Sequence, residues 1–136
     1  MIRFIEKNPT VQEYHYLTQQ VGWGAEPENI VEEAIQHTLY SICAFNDEQI
    51  IGYARLIGDK TLFLYIQDVM VIPEFQGKNI GSQLMKFILQ EVERLKSISP
   101  NIRTYLGASK NKENFYRKFG FIPRNEADLG EGMILI

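Results

Sequence analysis

An α/β domain is what this sequence predicts, with a mixed, mostly antiparallel sheet, a central pair of parallel strands and helices on both faces. Two observations carry that expectation. Stretches rich in β-branched and aromatic residues at 39–45, 49–57 and 61–72 are separated by short polar turns and read as an antiparallel meander. After Pro73 the pattern changes: Ile80, Leu84, Ile88, Val92 and Leu95 recur at helical spacing, and a further apolar stretch follows at 102–107. Strand, long helix and strand form a crossover unit, which makes its two strands parallel and its connection right-handed.

The remaining elements follow in chain order. Residues 2–6 read as a short first strand. Thr10 stands before a helix reaching Gln20, with Glu13 three positions on, the pattern of a capping box. Val21-Gly22-Trp23-Gly24 is a loop, and Pro27 opens a second helix to about Thr38. The long helix runs over 79–96, roughly 27 Å at 1.5 Å per residue. A shorter helix at 112–119 is stopped by Gly120, a segment follows from Phe121, and residues 132–136 are expected to form a closing strand.

Composition narrows the function. With 136 residues, 45% of them hydrophobic, the chain is expected to form one domain over 1–136 with a single site. A net charge of −3 argues against a nucleic-acid partner, which needs a clustered basic face. It suits a small cationic substrate as well as it suits any soluble protein. No run of about 18 uncharged apolar residues predicts a membrane span, and the start of the chain lacks the apolar core of a signal peptide. A cytoplasmic protein is therefore expected. Cys43, the one cysteine, lies in an apolar run and reads as a buried structural thiol. His15 and His37 are the only histidines and form no ligand pair, so no metal is expected.

The chemistry is expected in Glu74-Phe75-Gln76-Gly77-Lys78-Asn79-Ile80-Gly81-Ser82. A strand that stops at a proline and passes through a glycine-bearing turn into a helix start leaves main-chain N–H groups without partners. Such a helix end carries about half a positive charge, so it suits an anionic phosphate. Gly77 and Gly81 let a ligand approach the backbone, and Lys78 adds a full charge. The plainer alternative is a turn whose glycines satisfy only local geometry. Neither Gly-x-x-x-x-Gly-Lys-Ser/Thr nor Gly-x-Gly-x-x-Gly after the first strand is present.

The segment Val69-Met70-Val71-Ile72-Pro73-Glu74-Phe75-Gln76-Gly77-Lys78-Asn79-Ile80-Gly81 resembles the acyl-CoA signature of the GNAT superfamily of N-acetyltransferases, Val-x-Pro-x-x-Gln/Arg-Gly-x-Gly-x-Gly/Ala. It departs from that pattern at Asn79, where the family usually has glycine. Asparagine is the residue that best tolerates a left-handed backbone in glycine's place. A second block, Asn114-Phe115-Tyr116-Arg117-Lys118-Phe119-Gly120-Phe121, resembles the family's late Phe/Leu-Tyr-x-Lys-x-Gly-Phe element, and the element order matches that fold over nearly the whole chain.

The resemblance implies acetyl-CoA as co-substrate and an amine as acceptor: a small amine, a polyamine, an aminosugar or a peptide lysine. It implies that the backbone of Val69, Met70 and Val71 bonds the pantetheine arm as an added strand. The N–H groups of Gln76, Gly77, Lys78, Asn79, Ile80, Gly81 and Ser82 would hold the pyrophosphate, and Asn111, Phe115 and Tyr116 complete the cofactor set. Tyr116 is the candidate acid, because a phenol of reference pKa near 10 can protonate a departing thiolate; a core aromatic is the alternative. Asp68, a charge inside an apolar strand, is the candidate base, with a salt bridge or a bond to loop backbone as the alternative. Trp23 and Tyr53 are candidates for the acceptor pocket, where an aromatic face can hold a cation, or else cover the core. Glu26, Glu28, Glu32 and Glu33 could attract a cationic acceptor or be a solvated helix face. Two other readings stand beside the enzyme: a non-catalytic acyl-CoA-binding or sensor module, and a homodimer paired through Met133-Ile134-Leu135-Ile136.

Overall fold

The computed structural model describes residues 1–136. The chain runs β1 (Ile2–Ile5), α1 (Val11–Gln20), α2 (Glu28–Gln36), β2 (Tyr40–Asn46), β3 (Gln49–Gly58), β4 (Phe63–Val71), α3 (Ile80–Ile98), β5 (Arg103–Leu106) and α4 (Glu113–Arg117). Single 3-10 turns occupy Pro73–Phe75 and Arg124–Ala127. The five strands lie in chain order across one sheet; β1 to β4 are antiparallel to their neighbours, and β4 and β5 run parallel, as the crossover requires. The chain forms two compact units, Met1–Tyr105 and Leu106–Ile136.

Local signals account for the start of the first unit. The Thr10 hydroxyl accepts the Glu13 N–H at 3.0 Å, and Glu13 Oε1 accepts the Thr10 N–H at 2.8 Å, so the capping box is complete. Pro27 stands one residue before α2 and directs the chain into it. The two faces of the sheet are told apart on β3. A Cβ on Gly52 would lie 3.2 Å from Leu84 of α3, whereas the Tyr53 ring meets Tyr14 of α1 edge-on at 6.2 Å. Neighbouring strand residues point to opposite faces, so α3 and α1 cover opposite sides of the sheet. On the α3 side Ile80, Leu84, Met85, Ile88, Val92 and Leu95 are buried, all on the stripe that the helical spacing predicts.

Cys43 is fully buried and its thiol donates to the Lys7 carbonyl at 3.2 Å. Burial pushes its pKa up to about 12, which removes it as a nucleophile and fits the structural reading. No helix is long and apolar enough to cross a membrane.

The second unit departs from expectation. Residues 132–136 form no strand, and no strand follows α4. Met133, Ile134, Leu135 and Ile136 are between 83% and 106% exposed. Apolar, β-branched composition suggested the strand, but a strand exists only where another backbone receives its N–H and C=O groups, and none does so here.

The β3–β4 turn is held by a single side chain. Asp59 Oδ1 accepts N–H groups from Thr61, Leu62 and Phe63 at 2.9, 2.8 and 3.0 Å, which holds its pKa down at about 2. Gly58 beside it has φ +142°, and a Cβ there would lie 2.3 Å from the Phe63 carbonyl oxygen. Gly58→Ala is therefore expected to destabilise the protein by about 2–4 kcal/mol, measured as the shift of the urea unfolding midpoint.

Candidate functional site

The end of β4 and the start of α3 build the first part of the site. β4 closes at Val71, Pro73–Phe75 make a 3-10 turn, and the backbone is left-handed at Gly77 (φ 77°) and again at Asn79 (φ 66°) before α3 begins at Ile80. Asn79 thus adopts the conformation that glycine usually supplies. The first α3-type bond to reach outside the helix is from the Gln83 N–H to the Asn79 carbonyl, at 3.1 Å. The N–H groups of Gly77, Lys78, Asn79, Ile80, Gly81 and Ser82 have no acceptor within the chain. They sit at the positive end of a 19-residue helix. Open space surrounds the Cβ direction of Gly77, and the Lys78 ammonium lies 5.0 Å from the centre of the Phe75 ring.

Gln76 is a correction to the expected donor set. Its N–H donates to the Pro73 carbonyl at 3.2 Å, because the 3-10 turn uses that group to close. Its side chain instead donates through Nε2 to the Val71 carbonyl at 2.9 Å, tying the end of β4 to the turn.

The second part of the site is an irregularity within β4. Tyr53 faces Met70 and Arg55 faces Gln67, so residues two apart on β3 oppose residues three apart on β4. One extra residue must be absorbed, and Asp68, at φ 58°, absorbs it as a β-bulge. The reversed alternation brings Gln67 and Asp68 together, with Gln67 Nε2 donating to Asp68 Oδ1 at 3.3 Å. Asp68 Oδ2 accepts from Arg55 Nε at 2.8 Å and from the Tyr14 hydroxyl at 2.9 Å. Desolvation, followed by the Asp68 charge, raises the Tyr14 phenol well above its ordinary pKa.

Asp68 therefore takes the salt bridge that its place in an apolar strand left open. Its side chain is 5% exposed and already carries two strong donors on one oxygen, so it is an anchor and not an accessible proton acceptor. Beyond this bulge β3 is the backbone partner of β4, and the Ile72 N–H donates to the Ile51 carbonyl at 2.9 Å. The Arg103 N–H donates to the Leu62 carbonyl at 3.0 Å, and a parallel four-residue strand starting there flanks roughly residues 62–66 of β4 at about 3.3 Å per residue. The backbone of Val69, Met70 and Val71 lies past that point.

Tyr53 is another correction. It is fully buried, and its hydroxyl is 3.0 Å from Ser41 Oγ; burial lifts its pKa to about 12. A ring with no exposed face cannot hold an acceptor cation, so Tyr53 belongs to the core. Trp23 is 50% exposed between Gly22 and Gly24, both left-handed, and remains available. Glu26, Glu28, Glu32 and Glu33 are exposed.

In the second unit Tyr116 is half-buried in α4, edge-on to Phe115 at 5.0 Å and to Phe121 at 6.4 Å. Desolvation raises its pKa above the ordinary phenol value. Phe115 also packs on Phe119 and under the Lys118 ammonium, and Asn111, exposed and left-handed at φ 69°, lies just before this helix. Arg117 and Glu126 close the unit with a two-pronged ion pair at 3.0 and 2.6 Å.

Sequence reading missed Arg55 and Tyr14. The available signal was Arg55 in the otherwise apolar strand Ile50-Ile51-Gly52-Tyr53-Ala54-Arg55-Leu56-Ile57, a second buried-strand charge of sign opposite to Asp68.

Residues 15–136 match the family model of the acetyltransferase (GNAT) domain. The chain is 32% identical over 120 residues to an uncharacterized N-acetyltransferase, ycf52, of Porphyra purpurea, covering 85% of this chain and 67% of that protein. A ycf52-like uncharacterized N-acetyltransferase of Prochlorococcus marinus is 30% identical over 113 residues, covering 80% of this chain and 61% of that protein. The chain thus spans about three fifths to two thirds of the length of these relatives. Among solved structures, a probable acetyltransferase of meticillin-resistant Staphylococcus aureus superposes with a TM-score of 0.87 at 26% identity, covering 100% of both chains.

Proposed function

Because this chain belongs to the GNAT acetyltransferase family, we propose that it moves the acetyl group of acetyl-CoA onto a primary amine, by direct attack within a ternary complex. The observation that carries this reading is the row of unpartnered N–H groups from Gly77 to Ser82. These donors suit a diphosphate, and the backbone of Val69–Val71, where the Val71 carbonyl already accepts from Gln76 Nε2, suits an amide-bearing arm added as a strand. No group of His, Cys, Asp and Glu side chains stands at ligand spacing.

In the proposed reaction the neutral amine attacks the thioester carbonyl carbon, the C–S bond breaks as the thiolate takes the Tyr116 proton, and the proton shed by the acylated nitrogen passes through water to restore the Tyr116 phenol. A phenol held above its usual pKa remains protonated at neutral pH, while the thiol it serves has a reference pKa near 8.5. Deprotonating a lysine-like amine at pH 7 costs about 4.6 kcal/mol. Water takes that proton in this scheme, and Asp68 serves as the anchor of the β4 bulge. Trp23 is the proposed acceptor-side aromatic; the acceptor is drawn from small amines, polyamines, aminosugars and peptide lysines. The cytoplasm is the proposed setting, in keeping with a single cysteine held reduced. The exposed segment Met133–Ile136 supports a homodimer in which it pairs across a two-fold axis.

Calorimetry with acetyl-CoA is expected to give saturable heat at one site, with thiol release when an accepted amine is added. No heat with CoA would sink the reading; heat without thiol release over a broad amine panel would favour the acyl-CoA sensor. Tyr116→Phe should lower kcat about 100-fold with little change in the KM for acetyl-CoA. In the wild type kcat/KM should climb with pH as the amine loses its proton. Since the Tyr116 pKa is raised, the fall caused by its ionisation should begin only above about pH 10. A fall below pH 9 that Tyr116→Phe abolishes would contradict this. Sedimentation velocity should show a dimer that Leu135→Glu converts to monomer; a monomeric wild type at all concentrations would remove the dimer.

A further inference from the structure

Arg55 makes contacts that nothing about a substrate explains. Nε meets Asp68 Oδ2 at 2.8 Å, while Nη1 meets the Ala34 carbonyl and Thr38 Oγ1, both at 3.2 Å. The side chain is 13% exposed and lies among four elements. On β4 it holds the bulge residue. At the end of α2 it meets one of the last carbonyls, where the helix is negative and a cation is favoured. From α1 the Tyr14 hydroxyl converges on the same carboxylate oxygen, at 2.9 Å.

This arrangement joins two regions that the proposed reaction must keep in register. Asp68 is the residue immediately before Val69–Val71, the backbone assigned to the arm of acetyl-CoA. α1 and α2 flank the loop that carries Trp23 on the proposed acceptor side. A left-handed, non-glycine residue within a strand is costly unless its surroundings hold it there. Here a guanidinium and a phenol hold it by its carboxylate. The bulge shape therefore depends on the state of the helix pair, and the helix pair on the bulge.

We infer that Arg55 is a positioning residue for acetyl transfer: by holding Asp68 and the end of α2 together, it sets the backbone of Val69–Val71 against the acceptor-side helices. The inference rests on the acetyl-CoA reading for its catalytic meaning, whereas its structural content can be measured without any ligand. Arg55 touches neither co-substrate in this scheme and acts only through the main chain it positions.

Arg55→Met removes the charge and all three hydrogen bonds; Arg55→Lys keeps a charge near Asp68 but loses the planar fork that spans Asp68, Ala34 and Thr38. In the folded protein without ligand, hydrogen exchange at the Met70 and Ile72 amides, which face β3 just past the bulge, is expected to be at least about tenfold faster in Arg55→Met, and less affected in Arg55→Lys. With acetyl-CoA and an accepted amine, kcat should fall about 10- to 100-fold in Arg55→Met, because a misplacement of about 1 Å can cost that much. The KM for acetyl-CoA should change less than about threefold, since the Gly77–Ser82 donors are untouched, and Arg55→Lys should recover part of the lost kcat. The Arg55→Met/Asp68→Asn double variant should be no worse in kcat than the poorer single variant, because both break one linkage. Unchanged exchange at Met70 and Ile72, unchanged kcat in a folded Arg55→Met protein, or additive losses in the double variant would each overturn the inference. If Arg55→Met does not fold, Arg55→Lys and Tyr14→Phe, each of which removes part of the linkage, are subject to the same exchange and kcat criteria. Absence of CoA binding by the wild type would sink the acetyl-CoA reading alone, and the exchange result would still decide whether Arg55 holds the bulge.

Discussion

A single surplus residue in β4 governs much of the first unit. Tyr53 and Arg55 project from one face of β3, two residues apart, and their partners on β4 are three apart. The backbone takes up the difference at Asp68, in a conformation that an L-residue rarely adopts. The slip brings a carboxylate to the side of the sheet where a guanidinium and a phenol wait for it. A buried carboxylate without partners would be strongly unfavourable, and a buried guanidinium likewise; together, with the Tyr14 hydroxyl, the Gln67 amide and the α2 carbonyl, each is neutralised and hydrogen-bonded. Ion pair and bulge thus depend on each other.

The opposite face of the sheet is governed by simpler physics. α3 lays an apolar stripe across β2, β3 and β4, and Gly52 keeps the contact with Leu84 close. That packing is what aims the start of the helix. With the helix axis held by its buried side chains, the turn through Gly77 and Asn79 can leave its N–H groups without internal partners, since they face outward where water or an anion can receive them. Asn79 shows that the turn needs a left-handed residue and not glycine as such: at φ 66° asparagine meets the requirement at a modest conformational cost.

Most of the secondary structure was legible because its signals are local. Thr10 and Glu13 cap their helix through atoms within one turn, Pro73 ends a strand by its own ring, and the spacing from Ile80 to Leu95 repeats only for a helix. The turn that leaves its N–H groups unpartnered was legible for the same reason. The expected strand at 132–136 failed because composition reports what a segment would do with a partner, and no backbone hydrogen bond joins it to one. The Gln76 N–H failed as a donor because the 3-10 turn at Pro73–Phe75 uses it to close. Tyr53 failed as an acceptor aromatic because its face of β3 lies under α1, and burial there leaves its ring no surface to offer.

What the sequence determined by itself was the fold class, the order and type of the main elements, and the position of the turn that carries unpartnered donors. These follow from periodicity, capping and residue chirality, all of which act between neighbours in the chain. Only the tertiary structure decided that Asp68 is paired, that Arg55 and Tyr14 are its partners, and that Tyr53 is sealed in the core. Those outcomes depend on a one-residue shift of register between two strands and on which helix covers which face. Contacts between residues 13 and 54 positions apart have no trace in local pattern, because the energy that selects them arises only once the elements are packed.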